Sequence, residues 1–395
     1  MLKYLRQFEL KEKRVLMRVD FNVPLKDGIV TDDFRIRSVL PTINYCLKSG
    51  ASLVLMSHLG RPNGKVMPEF SLIPIGETLA GLLEMPIKFS HDCVSEDAHD
   101  TSLSIKPGEI HLLENLRFYS GEISNDKEFS ALLARHGQIY INDAFGTAHR
   151  AHASNVGVAS HFTFCGVGLL FEKEWEYLNN VLRLPNRPLT LILGGAKISG
   201  KIQLINRFIE EADHILIGGG MAFTFLKAQG QEVGGSLVDD SMLRIAQRIL
   251  QKAKNHKVTM QFPSDVLIAK NVNDVDNIKI VRIDQIPDDW EGLDIGPETV
   301  TSFNATINDS KTVIWNGPMG VFETTAFQEG TSKIADALAQ LHAKGNIAIV
   351  GGGDTAAAIR QFNLMESVSH VSTGGGASLE LLSGNRLPSI EALEK

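Results

Sequence analysis

At 395 residues the chain is longer than one hydrophobic core usually organises, and soft priors of about 100 to 200 residues per domain point to two domains. Hydrophobic residues make up 43% and charged residues 22%, a balance that supports buried cores and excludes extended disorder. The formal net charge of −7 argues against general attraction to nucleic acid or to an anionic membrane, while leaving room for a local basic pocket.

In chain order, short β-branched runs predict buried strands at 14–19, 52–56, 86–89, 110–113 and 138–142. Between the first two, 34–48 reads as a helix with Ile36, Val39, Leu40, Ile43 and Leu47 on one face. The run 167–184 (VGLLFEKEWEYLNNVLRL) predicts one amphipathic helix after a Gly-containing turn, ended by Asn186 and Pro188, and is the candidate bridge between domains. The second half repeats the plan, with strand-like runs at 188–193, 214–217, 258–260, 278–282, 312–315 and 346–350, and helices over 201–211, 241–254 and 331–343. Alternation of this kind is the signature of βαβ units with parallel sheets.

Cys46, Cys93 and Cys165 are widely spaced and outside any CxxC pattern, so neither a disulfide framework nor a zinc site is expected, and a cytosolic setting fits. The opening stretch lacks the apolar run and cleavage site of a signal peptide, so the mature chain is expected to begin near Met1.

Glycines recur where predicted strands give way to helices: Gly194-Gly195, Gly218 to Gly220, Gly317, Gly351 to Gly353 and Gly374 to Gly376. One such turn only bends the chain, but several in one domain favour a site where backbone amides and helix N-termini meet phosphate. Two familiar phosphate motifs are nearly matched. Gly195 to Lys201 (GAKISGK) has the P-loop frame, but Ile202 stands where a hydroxyl would ligand Mg²⁺, which leaves a P-loop NTPase as the weaker alternative. Gly351 to Ala356 (GGGDTA) fits a dinucleotide fingerprint, but the following strand ends at Thr373 without the acidic residue that would hold a ribose. Asp354 inside that loop would repel phosphate unless a cation lay between them, which suggests Mg²⁺ with a nucleotide.

In the first half, Arg18, Arg35, His58, Arg61, Arg117, His149 and Arg150 lie at strand ends or in the following loops, together with Asp20 and Asn22. Singly, such arginines are usually solvated and such histidines structural. At one edge of a parallel sheet they converge, and several guanidinium forks then suit a small polyanion. No HRD-type base, Ser-His-Asp arrangement or HExxH spacing is present, as expected if the acceptor oxygen is already ionised.

The motifs RVDFNVP at 18–24, SHLGRP at 57–62, ENLRF at 114–118, DAFGTAHRAH at 143–152, LGGAK at 193–197, GGGMAFTFLK at 218–227, GLDIGPET at 292–299, WNGPMGVFE at 315–323, GGGDTAAA at 351–358 and HVSTGGGASLE at 370–380 resemble the phosphoglycerate kinase family over essentially the whole chain. The resemblance implies an α/β fold of two Rossmann-like doubly wound parallel-sheet domains joined by a hinge helix. The first would span 1–170, with 378–395 packing back onto it, and the second 171–377. It implies reversible phosphoryl transfer from 1,3-bisphosphoglycerate to ADP after domain closure, in a cytoplasmic monomer that uses Mg²⁺. Asp20, Asn22, Arg35, His58, Arg61, Arg117 and Arg150 would hold the phosphoglycerate. Lys197, Lys201, Gly219, Asn316, Glu323, Gly351, Gly352, Gly353, Asp354 and Thr355 would contact the nucleotide, with Glu323 at the ribose and Asp354 on the metal. Arg35, Lys197 and Gly375 would act on the transferred group. One position departs from the family pattern: Gly200 stands where an aspartate is usual, between Lys197 and Lys201.

Overall fold

A computed structural model describes residues 1–394. The chain divides into two compact units, Met1–Glu176 together with the chain from Arg386 onward, and Tyr177–Asn385. The division falls inside the helix Leu169–Arg183.

The first unit is built on a six-stranded parallel sheet in the order Lys88–Ser90, Ile110–Leu113, Ser52–Met56, Arg14–Arg18, Ile139–Asn142, Cys165–Val167. Strands covered on both faces need apolar residues at successive positions, which is why Ser52–Met56 and Ile110–Leu113 are buried throughout. Arg18 lies opposite Met56 on one side and Asn142 on the other, so three central strands end at one level and release their loops along one edge. The helix Phe34–Lys48 buries Ile36, Val39 and Ile43 against this sheet's core.

A second feature of this unit is a buried row of polar side chains. Ser90 contacts His111 Nε2 at 2.8 Å, His111 Nδ1 lies 2.8 Å from Ser102 Oγ, Ser102 Oγ lies 2.7 Å from His136 Nδ1, and His136 Nε2 reaches the Cys93 carbonyl at 2.8 Å. Ser102 belongs to the helix Glu96–Ser104, which the row ties to two strands.

The second unit repeats the plan in the order Thr259–Gln261, His214–Ile217, Leu189–Leu193, Thr312–Asn316, Ile347–Gly351, His370–Val371, again all parallel. Leu193, Asn316 and Gly351 are in register, so their loops also share an edge. Ile192, Leu216, Val313, Trp315, Ile334 and Leu338 form much of its core.

One sequence expectation is corrected here. The run 278–282, read as another strand of the parallel series, forms Lys279–Arg282 in a separate antiparallel sheet with Asp265–Ala269 and Glu291–Ile295. The segment between Ala269 and Lys279 is too short for the crossover that a parallel neighbour requires, and it folds as turns.

The helix predicted over 167–184 forms as Leu169–Arg183. Its first turn is held by Thr42, whose hydroxyl accepts the Leu169 amide at 3.2 Å, and by Asp143, which accepts the Phe171 amide at 3.0 Å. At the chain's far end, Pro388–Leu393 packs on the first unit beside the 153–157 turn, and the Ser389 amide donates to the Ala148 carbonyl at 3.1 Å.

Candidate active site

In the first unit, the loop after Arg14–Arg18 carries Asp20 and Asn22, and that after Ser52–Met56 carries His58 and Arg61. Arg117 follows Ile110–Leu113, and Arg150 follows Ile139–Asn142. Arg35 stands in the first turn of Phe34–Lys48 and donates to Asp20 at 2.6 Å, with both side chains partly accessible. Asn22 accepts the Gly60 amide at 2.9 Å, and Asn115 locks the neighbouring loops by accepting the amides of Leu59 and Arg117. Arg117 donates to the Gly60 carbonyl at 2.6 Å, while its buried Nε has no partner. Arg61, Arg117 and Arg150 line a cavity of about 230 Å³ with Asn63, Ile123 and His152. No carboxylate belongs to that lining.

The crowding of cations leaves an electrostatic mark. Burial and then the charge of Arg150 draw the Arg117 guanidinium down to about 10. Burial, reinforced by Arg18, Arg117, Arg150 and Arg35, pushes His58 well below its usual value, so its ring is neutral at pH 7. Arg18, grouped by sequence with the anion-binding candidates, is only 1% exposed and is spent on internal partners: Ser154, the Val19 carbonyl and His58. His149 accepts from the Arg150 side chain at 3.3 Å.

In the second unit the glycine turns are stitched to one another. The Gly195 amide donates to the Pro318 carbonyl at 2.8 Å, Gly219 to Met319 at 3.0 Å and Met221 to Gly195 at 2.9 Å. Gly219 has φ +61°, and a Cβ there would stand 2.5 Å from the Gly195 amide nitrogen, so this close approach admits only glycine. Lys201 donates to the carbonyls of Gly194 and Asn316, and Asn316 sits beside Gly351 and Gly352 with its buried Nδ2 unpaired. Thr355 is fully buried, and its hydroxyl accepts the Gly317 amide at 2.7 Å. Gly353 and Asp354 open the helix Gly353–Gln361, and Gly375 precedes Gly376–Leu382 at the edge of the sheet. Lys197 is exposed, and a Cβ at Gly200 would meet open space, so the fold itself does not require glycine there.

A slot of about 490 Å³ runs beside these turns. Gly195, Gly219, Glu323 and Asp354 line it together with apolar Phe223, Leu237, Val266, Leu293, Met319 and Val321. A flat apolar base and a polyphosphate call for that pairing of an oily wall with glycine turns.

The family model described as phosphoglycerate kinase matches residues 5–385. This chain belongs to the phosphoglycerate kinase family. A curated phosphoglycerate kinase of Chloroherpeton thalassium is 52% identical over 381 residues, 96% of either chain, and one of Prosthecochloris aestuarii is 49% identical over 392 residues, 99% of either chain. Among solved structures, phosphoglycerate kinase from Coxiella burnetii superposes with a TM-score of 0.89 at 38% identity, covering 100% of this chain and 99% of that one. The enzyme from Pyrococcus horikoshii gives 0.87 at 29% identity, covering 100% and 98%. Phosphoglycerate kinase activity is the reversible transfer of a phosphoryl group from 1,3-bisphosphoglycerate to ADP, a glycolytic step with a carboxyl group as acceptor in reverse. ADP and ATP are its co-substrates.

Three features of these sites escaped sequence reasoning. The antiparallel sheet supplies Val266 and Leu293 to the slot, and although Leu293 falls in the GLDIGPET run, the strand Asp265–Ala269 that carries Val266 belongs to no motif. His152 lines the cationic cavity, and its signal was available at the end of the DAFGTAHRAH run. Glu122 and Ser154, both fully buried behind Arg18, belong to no motif that names them.

Proposed function

We propose that the first unit holds phosphoglycerate through Asp20, Asn22, Arg35, His58, Arg61, Arg117 and Arg150, and that the second holds the nucleotide in the slot beside its glycine turns. The observation that carries this reading is the cavity walled by Arg61, Arg117, Arg150 and His152 without a carboxylate, which is matched to phosphate or carboxylate oxygens. In the second unit, Gly219 and the apolar wall face the base, Glu323 the ribose, and Lys197, Lys201, Asn316, Gly351, Gly352, Gly353 and Thr355 the phosphates.

Asp354 is exposed at the start of its helix and lines the slot, and no trio of His, Cys, Asp or Glu able to hold a metal occurs among the described residues. A single carboxylate fits Mg²⁺, which takes its remaining oxygens from phosphate and water, and the bound ion would neutralise phosphate charge. The protein's own task is positioning. Arg35 from the phosphoglycerate side and Lys197 from the nucleotide side stabilise charge spread over the transferred group, with the Gly375 amide beside them. The acceptor is an ionised oxygen, so no general base is needed, and closure of the units is the step that brings donor and acceptor into line. The reading places the enzyme in the cytoplasm as a monomer, without nucleic-acid or membrane partners.

Coupled consumption of 3-phosphoglycerate with MgATP tests the reading, and folded protein without turnover sinks it. Arg35→Ala is expected to lower kcat about 10²- to 10³-fold while leaving nucleotide binding nearly unchanged. Equal losses in both would contradict the role given to Arg35.

A further inference from the structure

We propose that Glu122, Ser154 and Arg18 form a buried relay of positioning residues that fixes His58 in the one tautomer able to donate a hydrogen bond to the phosphoglycerate. The inference rests on the assignment of His58 to that ligand above.

The relay follows from donor and acceptor counting. A guanidinium only donates, so the 3.0 Å contact from Arg18 Nη2 makes His58 Nδ1 the acceptor and leaves the ring proton on Nε2. Arg18 Nε also donates to Ser154 Oγ at 2.8 Å. The single hydroxyl proton of Ser154 is therefore free to go to Glu122 Oε1, 2.7 Å away, while the Ser154 amide donates to Oε2 at 2.9 Å. Both oxygens of Glu122 are thus occupied inside the protein, where the side chain is fully buried.

Burial alone would raise the Glu122 carboxyl, but hydrogen bonds from His152 and Ser154 and the charge of Arg18 hold it below the usual range. An ionised carboxylate then balances a buried guanidinium through a serine, and neither charge is stranded. His152 Nδ1 lies 3.6 Å from Glu122 Oε1, which joins the relay to the wall of the arginine cavity. The consequence for His58 is chemical. A neutral ring with its proton on Nε2 offers a donor to an anion, whereas the other tautomer would offer a lone pair and repel it.

Ser154→Ala removes the middle of the relay while leaving both charges. The expected result is a rise of about tenfold in KM for 3-phosphoglycerate, the scale of one charge-assisted hydrogen bond, with kcat and KM for MgATP within about twofold of the parent. In ¹⁵N-histidine spectra, His58 is a single Nε2–H tautomer in the parent and a mixture in the variant, because a guanidinium no longer held at its Nε by Ser154 shifts off His58 Nδ1 in part of the population. Glu122→Gln, a shape-preserving second variant, moves both readouts in the same direction. A single unchanged tautomer, or an unchanged KM, in folded forms of both variants overturns the proposal. His58→Ala separates the two levels. If it leaves KM for 3-phosphoglycerate unchanged, the ligand assignment fails and the proposal falls with it; if it raises KM while the relay variants do not, only the relay fails.

Discussion

Lys201 illustrates how burial sets the charge of a single side chain. Its ammonium is enclosed by the carbonyls of Gly194 and Asn316, and burial lowers its pKa to about 8 against the opposing pull of Asp354. It is therefore cationic below pH 8 and neutral above. If it faces nucleotide phosphates, kcat/KM for MgATP falls through a limb centred near pH 8, because that ratio reports the free enzyme. Lys201→Arg is expected to remove the limb, since a guanidinium keeps its charge throughout this range. A pH profile of both proteins checks the outcome. That Arg61, Arg117 and Arg150 gather at one cavity was legible at this scale, because arginines in the loops after parallel strands carry their chemistry to a common edge. Arg18 was not. A sequence gives residue type and strand position, but the internal acceptors that capture a guanidinium come from loops far along the chain, here Ser154.

At the scale of elements, the helix Glu96–Ser104 is anchored by the polar row through Ser102. The chain of protons can be ordered. His136 Nε2 must donate to the Cys93 carbonyl, so its Nδ1 accepts from Ser102, whose oxygen in turn accepts from His111 Nδ1, leaving His111 Nε2 to accept from Ser90. In this order both rings are neutral, and a proton added to His136 Nδ1 would set two ring N–H groups against the one Ser102 oxygen and leave the Ser102 hydroxyl without an acceptor. Burial accordingly lowers His111 to about 4 and His136 to about 3.

In the unfolded chain these rings protonate near pH 6.5, so the unfolded state binds more protons between there and the folded values, and stability is lost as pH falls below 6.5. For His111 alone the loss by pH 4 is about 3 kcal/mol, set by the fall of its pKa from 6.5 to about 4. Hydrogen exchange at pH 7 and pH 5 is expected to show protection lost first in Lys88–Ser90 and Ile110–Leu113. His111→Gln, which cannot titrate, should flatten that dependence even if it lowers stability at pH 7. An unchanged slope would sink the assignment. The parallel strands were legible because burial on both faces writes continuous apolar runs. The antiparallel sheet was not, because Lys279–Arg282 is largely exposed and Glu291–Ile295 mixes acids with apolar residues.

For the whole molecule, the segment from Arg386 onward belongs with a unit whose other residues end at Glu176. Ile390 and Leu393 are buried in it, and Ser389 is hydrogen-bonded to Ala148, two residues from Arg150. Truncation after Asn385 is expected to weaken the first unit and its affinity for 3-phosphoglycerate, while nucleotide affinity changes little. Titration calorimetry with each ligand checks this, and equal losses for both would contradict it. Burying the side chains of Ile390 and Leu393 contributes about 1.5 to 3 kcal/mol each, so their removal is a large fraction of the stability of one domain.

The same discontinuity has a temporal side. A ribosome delivers the chain from its N-terminus, so residues 177–385 emerge as one uninterrupted stretch with all the partners their sheet requires. The unit begun earlier must wait for its last helix, Pro388–Leu393, which is synthesised after the whole of 177–385. Contacts that tie residues from Arg386 onward to the first unit, the Ser389–Ala148 bond beside Arg150 among them, can therefore close only after all of 177–385 has been made.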